Sequence, residues 1–209
     1  MIFKRKIMFL VLSLVLVSVL VVGCSSSDGD TPPASSESEP TSETEVVGLT
    51  EAFAEGPTIL TSIGQSADVE MIKALMDNAG ISYTMDKLVM ADGLGDAKTL
   101  ILAVGGSSKG LGAAGIDADD EISRTTDLIN AAKANDVKII AMHIGGENRR
   151  GELSDKFITP SLENADYIIA VMEGNNDGLF TKIASEKNIP IDLVSSISDA
   201  IEPLKGAYK

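Results

Sequence analysis

The stretch Thr99-Leu100-Ile101-Leu102-Ala103-Val104, followed at once by Gly105-Gly106-Ser107, decides the fold class of this chain. Its apolar residues are continuous rather than alternating, which is typical of a strand that is buried on both faces. A glycine-rich connection directly after such a strand is typical of the carboxyl edge of a parallel sheet. We therefore predict a central parallel strand with helices on both sides of its sheet.

Similar runs lie on both sides of this stretch, and helical patterns separate them. The predicted strands cover residues 58–63, 82–85 (a weaker run near an edge), 99–104, 137–143, 167–172 and 189–194. The predicted helices cover residues 69–79, 119–134, a segment that restarts at Pro160 after Thr159, 179–187 and 198–204. This alternation predicts a three-layer, doubly wound α/β fold with a mostly parallel sheet. We expect it to be flavodoxin-like or Rossmann-like, with strand order 2-1-3-4-5-6.

Several helix ends have recognisable capping residues. Ser66 can cap the first helix and Gly80 can end it, while Asp177 can cap the helix over 179–187. Asp117 and Glu121 belong to an acidic group at the start of the second long helix, where negative charge is favourable.

The single cysteine, Cys24, predicts where the protein resides. It ends the string Val21-Val22-Gly23-Cys24, after three basic residues and an apolar run over residues 7–22. The run is shorter than the roughly 20 residues that span a bilayer, and the string resembles the lipobox of bacterial lipoproteins. The resemblance implies a signal peptide over residues 1–23 that is cleaved. It also implies a diacylglyceryl group on Cys24 that holds the protein in the lipid bilayer, on the extracytoplasmic face of the cell membrane.

Two further segments follow the predicted signal peptide. Residues 24–55 are rich in Ser, Thr, Pro and acid and contain no Lys or Arg, which predicts a disordered tether. Residues 56–209 form a single predicted α/β domain. The net charge of −14 argues against nucleic acid as a partner, because binding there requires clustered basic residues.

Four loops at the carboxyl ends of the predicted strands should share one rim. Ligands of open α/β sheets bind at this edge, near the point where the crossovers change direction. The candidate ligand-binding residues on these loops are Gln65, Ser66, Gly106, Ser107, Ser108, Lys109, Gly110, His143, Gly146, Glu147, Arg149, Arg150, Glu173, Asn175 and Asp177. Lys109 with free backbone N–H groups, and an arginine that clamps a carboxylate, favour a small anionic solute. A glycine-rich turn with only a structural role is the alternative.

The string from Gly110 to Gly115 matches G-x-G-x-x-G, but its context does not fit a dinucleotide site. Gly110 lies well past the end of the predicted strand, and the helix is expected to begin only after Gly115. The next predicted strand ends in His143 rather than in an acidic residue. We therefore expect no nucleotide cofactor, and the histidine and acid spacings also predict no metal.

The only histidine, His143, ends a predicted central strand and has two interpretations. A buried, hydrogen-bonded histidine is the commoner one. In the other, His143 is a general base for Ser107 or Ser108 near Lys109, although no G-x-S-x-G motif supports a hydrolase.

Three strings together carry a family resemblance. They are Gly105-Gly106-Ser107-Ser108-Lys109-Gly110-Leu111-Gly112-Ala113-Ala114-Gly115-Ile116-Asp117, Met142-His143-Ile144-Gly145-Gly146-Glu147-Asn148-Arg149-Arg150-Gly151 and Glu173-Gly174-Asn175-Asn176-Asp177-Gly178. These residues resemble an uncharacterised family of exported bacterial α/β domains, a domain of unknown function. The likeness covers about residues 57–204 and implies a fold without a mechanism.

Three hypotheses for the function follow from the sequence. In the first, a membrane-anchored lipoprotein binds a small, anionic solute as a receptor or accessory to a membrane transporter or sensor. The second is an extracytoplasmic hydrolase with a Ser/Lys/His site on the rim, and the third is a protein-interaction module.

Overall fold

Six parallel strands form one sheet in the computed structural model, which describes residues 46–209. The strands are Thr58–Ile63 (β1), Thr84–Met85 (β2), Thr99–Val104 (β3), Lys138–His143 (β4), Tyr167–Val171 (β5) and Ile191–Val194 (β6). Their order is β2-β1-β3-β4-β5-β6, which confirms the predicted fold class and strand order. The predicted signal peptide, Cys24 and most of the predicted tether lie outside the described residues.

Helices cover both faces of the sheet. They are Asp68–Ala79 (α1), Ser108–Ala114 (α2), Ala118–Ala134 (α3), Glu152–Leu162 (α4), Leu179–Lys187 (α5) and Ile201–Ala207 (α6). Residues of β3 alternate between two apolar clusters, with Leu100 and Leu102 packed in one and Ile101 and Ala103 in the other. The first cluster receives side chains from α2, α3, α4 and α5, and the second receives them from α1 and α6. This three-layer burial explains why the strand sequences are continuously apolar.

The caps of the helices follow the sequence in part. Gly80 ends α1 with φ of 73°, as predicted. At the start of α1, however, Ala67 is the cap residue, while the Ser66 hydroxyl accepts from the backbone N–H of Asp68 at 3.2 Å. Asp117 caps α3 in a capping box with Asp120.

The predicted interruption at Pro160 is wrong, because α4 runs continuously from Glu152 to Leu162. Proline in a helix interior removes one backbone hydrogen bond and costs about 3 kcal/mol. Phe157 and Ile158 before the proline and Leu162 after it are fully buried in one cluster. Packing of this face holds the helix together across the proline.

The glycine-rich segment after β3 is also not the wide loop that the sequence predicts. Ser108–Ala114 forms the short helix α2, which ends at Gly115 with φ of 72°. Gly110 is required inside it, because a Cβ there would lie 1.9 Å from the carbonyl oxygen of Gln65. The glycine therefore permits a close contact between α2 and the loop after β1.

Residues 46–55, the last ten of the predicted tether, pack against the domain instead of extending from it. The backbone N–H of Ile191 in β6 donates to the carbonyl of Val47 at 3.0 Å, so the segment covers the edge strand. Farther along, the N–H of Ala54 donates to the carbonyl of Ala207 at 2.8 Å. The segment thereby shields an edge that would otherwise be open to pairing with other chains. Among residues 46–209, no helix has the length and apolar character required to cross a membrane.

Candidate functional site

The predicted rim residues lie at the carboxyl edge of the sheet, where five of the fifteen line one cavity and two line another. The first, which we call the switch-point cavity, lies between the loops after β1 and β3 and has a volume of about 520 Å³. The second, which we call the α1 groove, lies between α1 and the segment after β6, above the ends of β4 and β5, and has a volume of about 670 Å³. Residues of the switch-point cavity include Gln65, Ser66, Lys87, Ser107, Lys109 and Gly110. Residues of the α1 groove include Met71, Leu75, Ile144, Gly146, Glu173 and Ile197.

His143 is fully buried at the end of β4, and neither of its ring nitrogens is free. Nδ1 lies 3.0 Å from the carbonyl oxygen of Val104, and Nε2 lies 3.3 Å from that of Gly146. Burial lowers the pKa of His143, although the two carbonyls act in the opposite direction. The ring also packs edge-on against Phe180, with 5.1 Å between the ring centroids. The side chain thus joins the end of β3, the loop after β4 and helix α5.

The two serines proposed as nucleophiles have no free base beside them. The Ser107 hydroxyl caps α2 by accepting from the backbone N–H of Gly110 at 3.0 Å. Ser108 is exposed on the first turn of α2. Since both ring nitrogens of His143 face carbonyl oxygens, the histidine has no lone pair directed at either hydroxyl. This geometry does not favour the hydrolase hypothesis.

Arg150 is a structural clamp rather than a free ligand for an anion. Its guanidinium donates to Asp155 at 2.8 Å and to Asp177 at 2.9 Å, and also to the carbonyl of Gly174. It also lies over the Phe180 ring, 5.0 Å from the centroid. The carboxylates raise the pKa of Arg150, and Arg150 in turn holds the pKa of Asp177 below its usual value. Arg150 therefore ties the loop after β4 to the loop after β5.

Two other candidates in the loop after β5 also have local roles. The Asn175 carbonyl oxygen accepts from the backbone N–H of Phe180 at 2.7 Å, so it holds the start of α5. Gly178, and not the predicted Asp177, is the cap residue of α5, although the Asp177 carboxylate accepts from the N–H of Leu179 at 3.2 Å in addition to pairing with Arg150. Both side chains therefore have a structural role at the start of α5.

Arg149, in contrast, pairs with a residue that the sequence analysis did not single out. Its Nε lies 3.3 Å from Oδ1 of Asp68, at the start of α1. Asp68 is only 1% exposed, and neither of its carboxylate oxygens has a hydrogen-bond partner within the described part of the chain. The Arg149 side chain remains 41% exposed. The sequence signal was weak, because an acidic residue in a first helical turn is usually solvated.

A second missed feature is a buried ion pair between Glu121 and Arg124 in α3. Glu121, which the sequence analysis placed in the acidic group at the start of this helix, is fully buried and accepts from Arg124 Nε at 2.7 Å. It also accepts from the backbone N–H of Gly64 at 2.8 Å and from the side-chain amide of Gln65 at 3.0 Å. Gln65, predicted to bind ligand, is thereby held in the loop after β1, with φ of 56°.

The remaining candidates differ in their exposure. The N–H of Gly106 donates to the Ser154 hydroxyl at 3.0 Å, so this glycine lies against α4. Glu147 and Glu173 are exposed carboxylates on the loops after β4 and β5. Oε2 of Glu173 lies 3.3 Å from the position that a Cβ on Gly146 would take.

Within residues 46–209, no three His, Cys, Asp or Glu side chains are placed to hold a metal ion.

The family comparison is decisive for most of the domain. The model of the family described as a domain of unknown function, DUF6305, matches residues 55–208. The chain belongs to this family. The match confirms the resemblance to an uncharacterised α/β family and assigns no activity to DUF6305. No curated protein shows significant similarity to the chain.

Solved structures with similar folds include proteins of different activities. A dTDP-4-dehydrorhamnose reductase from Clostridium acetobutylicum is 10% identical, with a TM-score of 0.35 over 73% of this chain and 82% of that one. A psychrotrophic esterase from Pseudoalteromonas is 15% identical, with a TM-score of 0.29 over 66% and 78%. A GDSL-like lipase from Bacteroides thetaiotaomicron is 12% identical, with a TM-score of 0.30 over 64% and 65%. At such scores these likenesses identify neither an activity nor a ligand.

Proposed function

We propose that this DUF6305 domain binds a small anionic solute in the switch-point cavity. The observation that supports the proposal is the placement of Lys109 on this cavity, where no carboxylate within residues 46–209 forms an ion pair with it. Lys87 lies on the same cavity and forms an exposed pair with Glu70 at 2.6 Å. An entering anion can therefore pair with Lys109 without displacing another partner.

The composition of the cavity also favours a solute with an apolar part. Besides the two lysines, its lining includes Leu88, Ala113 and Ala114. Pockets of 300–1,000 Å³ with a few convergent polar groups are typical small-molecule sites, and this one has about 520 Å³. A carboxylate or small oxyanion attached to a short apolar chain matches this arrangement.

The place of action is part of the same proposal. Diacylglyceryl Cys24 would hold the domain at the extracytoplasmic face of the cell membrane, and the domain would serve as a receptor or accessory to a transporter or sensor. Metabolic labelling with a fatty acid tests the anchor: we expect wild-type protein to carry the label and Cys24→Ala to lose it. A label that persists in Cys24→Ala would contradict lipidation at this residue.

A thermal-shift screen of the full chain in mild detergent tests the binding site. Carboxylates, phosphate and sulfonates should raise the melting temperature, since ligands that bind the folded state stabilise it. Lys109→Ala should weaken a hit by at least about tenfold, because a hydrogen bond to a charged group contributes about 1.5–3 kcal/mol. Lys98→Ala, at an exposed lysine that precedes β3 at the opposite edge of the sheet, is the matched control. Binding that is equal in the wild type and in Lys109→Ala would refute the proposed site.

A further inference from the structure

The α1 groove has walls that suit an apolar group. Met71 and Leu75 of α1 line one side, and Ile197 and Ile201 line the other. Ile144 contributes from the end of β4. The volume of about 670 Å³ falls within the range of small-molecule sites.

An unusual charged pair lies beside this groove. Asp68 is one helical turn before Met71, and its Oδ2 lies 2.7 Å from the position that a Cβ on Gly145, another lining residue, would take. The same Cβ would lie 2.0 Å from Cγ of Arg149. Only glycine at position 145 leaves room for the carboxylate and the arginine to meet behind this residue of the groove wall, and neither of the two lines the groove itself.

The state of Asp68 points to a missing partner. A buried carboxylate is normally satisfied by several hydrogen bonds, because water no longer solvates its charge. Neither oxygen of Asp68 has a hydrogen-bond partner among the described residues, and its one ion pair is to the half-exposed Arg149. The Arg149 guanidinium donates no hydrogen bond within residues 46–209, so its side chain can move without breaking one.

We propose that the α1 groove binds an apolar α-amino acid whose side chain lies along the groove, whose carboxylate binds Arg149, and whose ammonium group reaches Asp68 as Arg149 turns away from this buried carboxylate. The two charged groups of an α-amino acid are attached to the same carbon, so they suit an acid and an arginine that are neighbours on the protein. Glu173, an exposed carboxylate on the same groove, adds negative potential that favours the ammonium group. This site is independent of the switch-point cavity.

Isothermal titration calorimetry of the full chain in mild detergent with L-leucine tests the proposal. We expect saturable binding that weakens at least tenfold for 4-methylpentanoate, which lacks the amine, and for isoamylamine, which lacks the carboxylate. Glycine, without an apolar side chain, should also bind at least tenfold more weakly. The absence of leucine binding, or equal binding of leucine and isoamylamine, would overturn the proposal.

Two variants separate recognition from folding. Asp68→Asn keeps the shape of the side chain but removes its charge, so the melting temperature should stay equal or rise while leucine affinity falls at least tenfold. Asp77→Asn, at an exposed acid on the same helix, is the control and should bind leucine like the wild type. Unchanged leucine affinity in Asp68→Asn would overturn the assignment.

The same variants keep the two proposed sites apart. Lys109→Ala should leave leucine binding unchanged, and Arg149→Ala should leave anion binding in the switch-point cavity unchanged. Arg149→Ala should reduce leucine affinity at least tenfold while affecting isoamylamine little, since the amine has no group for the guanidinium. Equal losses for both ligands would overturn the role of Arg149 as the carboxylate partner.

Discussion

Replacing Arg124 by methionine should destabilise the domain more than any exposed charge replacement. Arg124 is 6% exposed and donates to both oxygens of Glu121, to the carbonyl of Val89 at 2.9 Å and to that of Ser62 at 2.6 Å. Arg124→Met fills a similar volume but removes these donors and the positive charge. Glu121 would remain fully buried without its counter-charge.

The expected loss follows from the burial of the remaining carboxylate. Breaking a buried ion pair by removing one partner costs about 3–5 kcal/mol, since the other charge stays desolvated. For a chain of 150–250 residues, each kcal/mol lowers the melting temperature by roughly 2–4 °C. We therefore expect a decrease of roughly 6–20 °C for Arg124→Met.

Urea unfolding followed by circular dichroism measures this loss. The midpoint should fall while the denaturant slope stays constant, which indicates a change in stability and not in the surface exposed on unfolding. Lys73→Met is the matched control, because it breaks the exposed pair of Lys73 with Asp77 one turn apart on α1. The control should leave the midpoint unchanged.

A double variant shows whether the loss of stability comes from the unpaired charge of Glu121 or from altered packing. Glu121→Leu combined with Arg124→Met removes both charges, and apolar replacements of buried pairs are often neutral or stabilising. The double variant should therefore recover stability relative to Arg124→Met, although the N–H of Gly64 loses its acceptor. A loss below about 1 kcal/mol for Arg124→Met, or no recovery in the double variant, would refute the reasoning.

Three further predictions concern the rim. Burial lowers the pKa of His143, so the unfolded state binds a proton more readily than the folded state and the wild type should lose stability as the pH falls from about 7.5 to 5. The variant His143→Asn has no such group and should lose less stability over this range, as measured by urea unfolding. Gly110→Ala should lower the free energy of unfolding by about 1–3 kcal/mol in the same assay, because the new Cβ would meet the Gln65 carbonyl. Gly112→Ala is the control: the space around this position is open, so alanine should stabilise α2 by about 0.5–1 kcal/mol. Arg150→Lys should cost about 1.5–3 kcal/mol in thermal unfolding, since one ammonium cannot replace a guanidinium shared by two carboxylates.

The sheet could be predicted because a strand that is buried on both faces has a continuous run of apolar residues. Thr99–Val104 was predicted with its observed bounds, since a parallel strand covered by helices needs apolar side chains in both directions. Helical segments that contain proline or glycine could not be predicted, because these residues disfavour a helix. Pro160 lies within α4, and Gly110 and Gly112 lie within α2, because long-range packing outweighs local propensity there.

The rim was predictable as a location but not as a set of free side chains. The sequence places Arg149 and Arg150 together, yet only the fold brings Asp177 and Asp155 to Arg150 and leaves Arg149 beside Asp68. Asp177 and Asp68 are distant in the chain from the arginines with which they pair. Burial of Asp68 and Glu121 was missed for the same reason, because both resemble the exposed acids of a helix start.

The division of the rim into two cavities follows from the topology. The crossovers change direction between β1 and β3, so the loops after these strands diverge and open the switch-point cavity. The α1 groove has another cause. Four helices cover one face of the sheet but only α1 and α6 cover the other, which leaves the carboxyl ends of β4 and β5 open between them. Asp68 lies between the two cavities, since its backbone N–H donates to the Ser66 hydroxyl of the first and its carboxylate lies against Gly145 of the second.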